Sequence, residues 1–443
     1  VEKERECEVA IVGGGITGTA LLYMLSRYSS VRKIILLEKN RRFAEINSSS
    51  ENNSQTLHFG DIETNYSFEK AKIVKEAAEM VVSYVKGRNR DLFRVTHKMV
   101  LAVGQEEVAE LRDRYERFKA LFPNLRLLGR KEIELLEPRV VAGREPGEEI
   151  LALCSEDGYA VNFQKLSESF VLDSLKEEKE VEFLLSARVK EIRREKDFYL
   201  LVADEGLVRA RAVAVAAGPH GLIFAQSLGY GTKSGILPIS GGFYRAENVL
   251  RGKVYTMQVD KLPFAAIHGD PDVVDPRETR FGPTAKVLPL LERGSYRTFF
   301  DFLRTSAFTL DGVWSLLKIV SDWVILKYVI KNLAYDLPIL GKWFFLRDAR
   351  KIVPLLKYAD LSYLRGVGGI RPQVVDTRTK KMEMGSAKII GDKAIFNITP
   401  SPGASVCLKN AEEDAKMLVG FLGEGHRFKE DKFKEDFLAK INS

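Results

Sequence analysis

The sequence predicts an α/β protein of two domains, and three observations point there. The opening "EVAIVGGGITGTALLYMLSRY" gives a short apolar run, a glycine cluster and then apolar residues at helical spacing, the order of a strand, a tight turn and a helix. Residues 181 to 218 break into short runs of alternating apolar and polar residues, the signature of strands. A length of 443 residues exceeds what one hydrophobic core usually serves, so a second α+β domain on a mixed or antiparallel sheet is expected beside the first.

The first element reads as a Rossmann-type βαβ unit. Gly13, Gly15 and Gly18 stand in G-x-G-x-x-G spacing between strand and helix. Gly13 permits the tight turn, Gly15 lets backbone approach a pyrophosphate, and Gly18 allows the helix to pack close to the sheet. The helix start adds N–H groups and a positive dipole end. A second strand, "KIILLEKN", follows and brings Glu38 to its end, about 20 residues past the last glycine, where an acid accepts hydrogen bonds from a ribose 2'-OH.

The later elements choose between dinucleotides. The 181–218 strands close in the turn Ala216-Ala217-Gly218, which offers a second backbone approach to a cofactor or a plain strand-to-helix connection. Near the end, Pro402-Gly403-Ala404-Ser405 reads as the start of a helix, a second dipole terminus far from the first in sequence. Two helix starts and a returning sheet fit a long buried cofactor, FAD rather than NAD. "LGYGTKSG" at 228 to 235 follows a helical segment with the wrong spacing for a second dinucleotide motif, so the substrate itself is expected to reduce the flavin.

Composition narrows the class. The chain is 45% hydrophobic and 29% charged, ordinary for a globular protein. Its net charge of +7 is spread through mixed stretches such as "VKEIRREKD", which argues against a nucleic-acid stripe. Cys7, Cys154 and Cys407 are far apart and form no C-x-x-C pair, so no metal site, redox dithiol or disulfide framework is expected. "VEKEREC" runs straight into a strand without the apolar stretch of a signal peptide, so a cytoplasmic setting is expected.

"VAIVGGGITG", the Val213 to Gly218 strand and turn, and "PSPGAS" resemble the D-amino-acid-oxidase-like FAD superfamily. Within it, "NNSQTLHFGDIETNYS", "LPFAAIHGDPD", "RFGPTA" and "NITPSPGAS" resemble malate:quinone oxidoreductases of the shorter branch, with matches from about residue 9 to about 410. In the longer enzymes Ser54, Gln55 and Leu57 are replaced by smaller residues. The resemblance implies a discontinuous FAD domain over 1–90, 155–230 and 365–443, and a substrate domain over 91–154 and 231–364. It implies FAD contacts from Gly13, Gly15, Ile16, Thr17, Gly18, Glu38, Lys39, Asn53, Ser54, Thr56, Val189, Ala217, Gly218, Pro402, Gly403, Ala404 and Ser405.

The implied reaction oxidises a 2-hydroxy dicarboxylate, which calls for a base at the hydroxyl and cations at the carboxylates. Two histidines have suitable settings. His268 ends a small apolar strand, with Asp270 on the same face to orient it, and is expected to be the base; the alternative is a cap for the Gly-Asp-Pro turn. His58, in a polar loop, is expected to contact substrate or flavin; the alternative is a turn histidine bonded to backbone. Arg280, Arg371 and Gln55 are the expected substrate contacts, with a surface ion pair the alternative for either arginine.

Residues 299 to 346 hold all three tryptophans among scattered lysines and aspartates. No uncharged stretch there is long enough to span a bilayer. The segment reads as an amphipathic, membrane-surface helix bringing the flavin to quinone, or as a lid or core of the substrate domain. The expected protein is therefore a malate:quinone oxidoreductase, peripheral on the inner face of the cell membrane. An oxidase of 2-hydroxyglutarate or an amino acid is the alternative, and a non-enzymatic dinucleotide-fold binding protein the third.

Overall fold

In the computed structural model residues 4–437 are described, apart from 89, 259–265, 308–313, 315–317, 319–320, 336, 338, 383–386 and 400–401. The apolar run of the opening becomes strand β1 (Glu4–Val12), the glycine turn leads into helix α1 (Ile16–Tyr28), and Lys33–Leu37 forms β2, parallel to β1. Val9, Ala10 and Ile11 are fully buried because helices and other strands cover both faces of a parallel sheet, so a continuous apolar run suits them.

Eight strands make this first sheet. Along its main path the order is 387–391, 394–398, 206–215, β1, β2 and 180–184, with 199–203 pairing antiparallel to 206–215 and 189–194 antiparallel to 199–203. The strand reading of 181–218 thus resolves into four strands ending at Val215. Helix α1 and the C-terminal helix Cys407–Leu422 share one core on one side of the sheet, through Leu21, Leu25, Leu408, Ala411 and Ala415.

A second eight-stranded sheet runs through 362–363, 244–247, 278–282, 268–271, 253–256, 93–103, 150–161 and 126–128. It is mixed: 253–256 lies parallel to 93–103, and its other pairings are antiparallel. The expected division at 154/155 falls inside the strand Ile150–Val161, which continues to residue 161 and there meets the loop 55–57. A separate four-stranded sheet is made of 286–287, 234–240, 370–376 and 381–382. Ile236 and Val374 face Leu222 and Ile398 of the first domain, whereas Leu237, Ile239 and Val375 pack with Ile325 of the helix Trp323–Ala334.

Candidate active site

The glycine turn is built by close packing. Gly13 has φ +108°, and a Cβ on it would lie 2.4 Å from the Ala216 carbonyl oxygen, so the residue is confined to glycine by both conformation and space. A Cβ on Gly18 would lie 1.9 Å from the Gly13 carbonyl oxygen, which is why helix and turn can touch only here. The first turn of α1 carries no acidic side chain, so its dipole end stays available to an anion. Glu38, directly after β2, accepts from the Gly14 amide at 2.6 Å and from the Asn40 amide at 2.8 Å, and it is 7% exposed.

These groups open onto a cavity of about 320 Å³. Gly13, Gly15, Ile16, Thr17, Glu38 and Lys39 line it from the βαβ unit, Val189, Ala217 and Gly218 from the returning sheet, and Asn53, Ser54 and Thr56 from the loop after β2. Pro402, Gly403, Ala404 and Ser405 complete the wall. Gly18 packs behind the wall, against Gly13. The helix starts at Cys407, later than expected, because the Ser405 amide donates to the Pro402 carbonyl at 2.8 Å and makes a separate turn first. A phosphate-sized backbone cradle, an acid at the end of β2 and a second set of turn amides make this wall a fit for a dinucleotide such as FAD.

His58 also lines the cavity. The loop carrying it is pinned to the second domain, where the Leu57 amide donates to the Tyr159 carbonyl at 3.0 Å and the Val161 amide donates to the Gln55 carbonyl at 2.7 Å. The His58 amide donates to Ser405 Oγ at 2.9 Å, tying the loop to the cofactor wall. Its Nδ1 lies 2.7 Å from Oε1 of Glu63, a carboxylate that sequence reasoning missed although it sits in the same loop. Burial alone would push the Glu63 carboxyl up, but the His58 hydrogen bond and the charges of His58 and Lys98 hold it below its usual range. An ionised Glu63 fixes the proton on Nδ1, and Nε2 has no protein partner among the described residues.

His268 occupies a different environment, and the expectation that it is the base is revised accordingly. It is fully buried, lies off the cavity wall, and its ring stacks on Tyr255 at 4.2 Å between centroids. Its Nδ1 is 3.1 Å from the Ala266 carbonyl, and Nε2 is 3.3 Å from Asp270 Oδ1 without a formed hydrogen bond. Burial and the nearby Lys253 charge push its pKa well below the ordinary value. Burial raises the Asp270 carboxyl, against the charges of Lys253 and Arg280. His268 and Asp270 do share a face of the strand His268–Pro271, but that face turns inward. Residues 262–265 of the expected strand lie outside the described residues.

The two arginines separate in the same way. Arg280 donates to the carbonyls of Ser50 at 2.9 Å, Glu51 at 3.1 Å and Asn53 at 3.2 Å, and lies 3.3 Å from Asp272, so it clamps the 50–53 loop. Gln55 is spent likewise, donating to Asp272 at 2.8 Å and to the Ser50 carbonyl, and accepting from the Val273 amide. Both expectations of substrate contact are revised, because the terminal nitrogens of Arg280 and the Gln55 amide are taken up by protein partners and neither side chain lines the cavity. Arg371 instead lines the cavity, half-buried, and forms no ion pair among the described residues. Burial pulls its pKa down, against the phenols of Tyr328, Tyr66 and Tyr255. Sequence reasoning also missed Lys253, which is fully buried and donates to Thr56 Oγ1 at 3.0 Å from behind the cavity wall.

With this geometry in place, three comparisons bear on it. The model of the family described as malate:quinone oxidoreductase (Mqo) matches residues 5–413. The malate:quinone oxidoreductase of Helicobacter pylori (strain J99 / ATCC 700824) is 42% identical, over 97% of this chain and 98% of its own, whereas the mitochondrial L-2-hydroxyglutarate dehydrogenase of Bos taurus is 24% identical over 90% and 86%. Among solved structures, the L-alpha-glycerophosphate oxidase of Mycoplasma pneumoniae with FAD bound superposes with a TM-score of 0.68 at 18% identity, covering 94% of this chain and 95% of its own, a likeness of fold.

Proposed function

Because the chain belongs to the malate:quinone oxidoreductase family, we propose that it is an FAD enzyme oxidising L-malate to oxaloacetate and passing the electrons to a membrane quinone. The observation that carries this reading is the shared cavity wall, on which His58 and Arg371, with no partner for the Nε2 of one and no carboxylate for the other among the described residues, stand beside a dinucleotide cradle. When bound, FAD supplies the acceptor for the hydride that leaves C2 of the acid. Gly13, Gly15, Glu38 and the 402–405 turn would hold it, and the turn offers backbone amides that would stabilise negative charge.

His58 Nε2 takes the hydroxyl proton as the C2–O bond becomes a carbonyl. Glu63 keeps the ring in the accepting tautomer and stabilises the imidazolium that results, the role a carboxylate plays behind any histidine base. Arg371 binds a carboxylate of the substrate, its planar fork suited to two parallel hydrogen bonds. Phe163 and Phe243 also line the cavity and limit water near the reacting carbon.

The acceptor side is read from the surface. Among the described residues no helix is long and apolar enough to cross a membrane. The helices Trp323–Ala334 and Leu340–Ala349 expose Trp323, Ile330, Leu333 and Trp343 beside Lys327, Lys331 and Lys342. Apolar rings with flanking cations suit an anionic bilayer surface, here the inner face of the cell membrane. Asp311, among the charges interrupting this stretch, lies outside the described residues.

Anaerobic titration of the yellow holoenzyme tests the reaction: L-malate bleaches the flavin and a quinone analogue restores it. Bleaching by L-2-hydroxyglutarate or an amino acid, with L-malate inert, would overturn the assignment. Sedimentation with anionic liposomes across a salt series tests the surface, and no association at low salt removes it.

A further inference from the structure

Arg371 poses a physical problem. A cation that must stay open to a substrate carboxylate cannot be steadied by an aspartate or glutamate, yet a half-buried guanidinium left loose would bind poorly. The strand Ile370–Asp376 pairs antiparallel with Ser234–Ser240, placing Arg371 opposite Ile239 and Val375 opposite Gly235. Partners across a ladder share a face, as do alternate residues along a strand, so Arg371, Val375, Leu237 and Ile239 stand on one face. Leu237, Ile239 and Val375 pack against Ile325, Tyr328 and Val329 of the helix Trp323–Ala334. The helix therefore roofs the face from which Arg371 projects. Asn332, one turn past Tyr328 and 3% exposed, accepts from the Ala285 amide at 2.6 Å and fixes the helix to the sheet.

We propose that Tyr328 is a positioning residue for the acid-binding site, a neutral phenol that the surface helix presents beside Arg371 to hold the guanidinium in its binding orientation without neutralising it. This rests on the dicarboxylate reading given above. Tyr328, Tyr66 and Tyr255 are phenols near enough to Arg371 to influence it, and burial pushes the Tyr328 phenol up to about 12, so at neutral pH it faces the guanidinium as an uncharged dipole. Tyr66 and Tyr255 come from other parts of the chain, whereas Tyr328 rides on the helix whose opposite face is exposed.

The test is steady-state kinetics on holoenzyme carrying Tyr328→Phe, which keeps the ring packed against Leu237, Ile239 and Val375. The KM for L-malate should rise about tenfold with kcat near wild type, as expected when one hydrogen-bonding group beside a charged ligand site is lost. The inhibition constant of malonate, a non-reacting dicarboxylate, should rise in parallel. Asn332→Ala, which frees the roof helix, should move both constants the same way, and it serves if the first variant folds poorly. Tyr296→Phe, at an 82% exposed position, is the control and should change neither. A purely structural role would instead lower the melting temperature and flavin content while leaving KM and the malonate constant of the folded enzyme unchanged, and that result overturns the proposal. Arg371→Lys separates the two levels. If it weakens malate and malonate while Tyr328→Phe does not, the positioning role falls alone; if neither substitution affects either acid, the dicarboxylate reading falls with it.

Discussion

His58 and His268 each lie close to a carboxylate, and they differ in which nitrogen is left over. At His58 the carboxylate takes Nδ1 at 2.7 Å, and Nε2 remains on a side chain that lines the cavity. At His268 a backbone carbonyl takes Nδ1, the ring lies flat against Tyr255, and among the described residues Nε2 meets Asp270 in a closed interior. The first arrangement sets a carboxylate behind a ring whose other nitrogen can accept a proton. The second disfavours protonation, since burial and the Lys253 charge both oppose a cation there. A histidine's use is thus set less by having an acidic neighbour than by where its second nitrogen opens.

The largest expected effect comes from breaking the open pair. His58→Gln should slow flavin reduction by L-malate in single turnover by roughly 10² to 10⁴, the usual contribution of a positioned base, with FAD still bound. An unchanged reductive rate would remove His58 from the chemistry. Arg371→Lys comes next: the KM for L-malate should rise about 10- to 100-fold because a point charge replaces a two-pronged fork, while amino acids remain non-substrates. Glu63→Gln should reduce the single-turnover rate by about tenfold or more, since the ring loses the anion that fixes its tautomer. A rate equal to wild type would show that the orienting carboxylate is dispensable.

His268→Gln sharpens the contrast from the other side. It should leave the reductive rate near wild type and cost about 1–3 kcal/mol of stability for a disturbed buried polar group, measured by denaturant unfolding; a hundredfold loss of rate would return His268 to the role of base. The smallest effect is a slope. His268 has a folded pKa below its ordinary 6.5, so under that pH the unfolded chain binds a proton the folded chain does not, and stability falls as pH drops from 6.5 toward 5. One such proton contributes at most about 1.4 kcal/mol per pH unit, and His268→Gln should flatten the curve in this window. Glu63, whose folded pKa is depressed below 4.5, acts only lower down: its contribution is present above 4.5 and is lost as pH falls below it.

Much of the cavity wall was legible in the sequence because its requirements are local. A glycine that must turn at φ +108° beside a carbonyl, an acid at the end of the next strand and a proline-glycine turn before a helix are each fixed by a few neighbouring residues. The substrate side was read less well. Arg280 and Gln55 stand in motifs that look exposed and polar, yet the terminal nitrogens of one and the amide of the other are engaged by the 50–53 and 272–273 segments. Glu63 was within reach of the reading, five positions after His58 in the same loop, but a loop carboxylate has no periodicity to announce its direction. Lys253 had no signal, since a lysine between apolar residues usually marks an edge and here it is fully buried.

By itself the sequence determined the two-domain α/β plan, the nucleotide turn and the chemical kinds of residue available, because backbone conformation and apolar periodicity are properties of short stretches. Which histidine and which arginine face the cavity, and which helix packs over the strand that carries that arginine, were decided only when segments hundreds of residues apart met. Hydrogen-bond partners are claimed in three dimensions, and a polar side chain is available to a ligand only if no distant part of its own chain reaches it first.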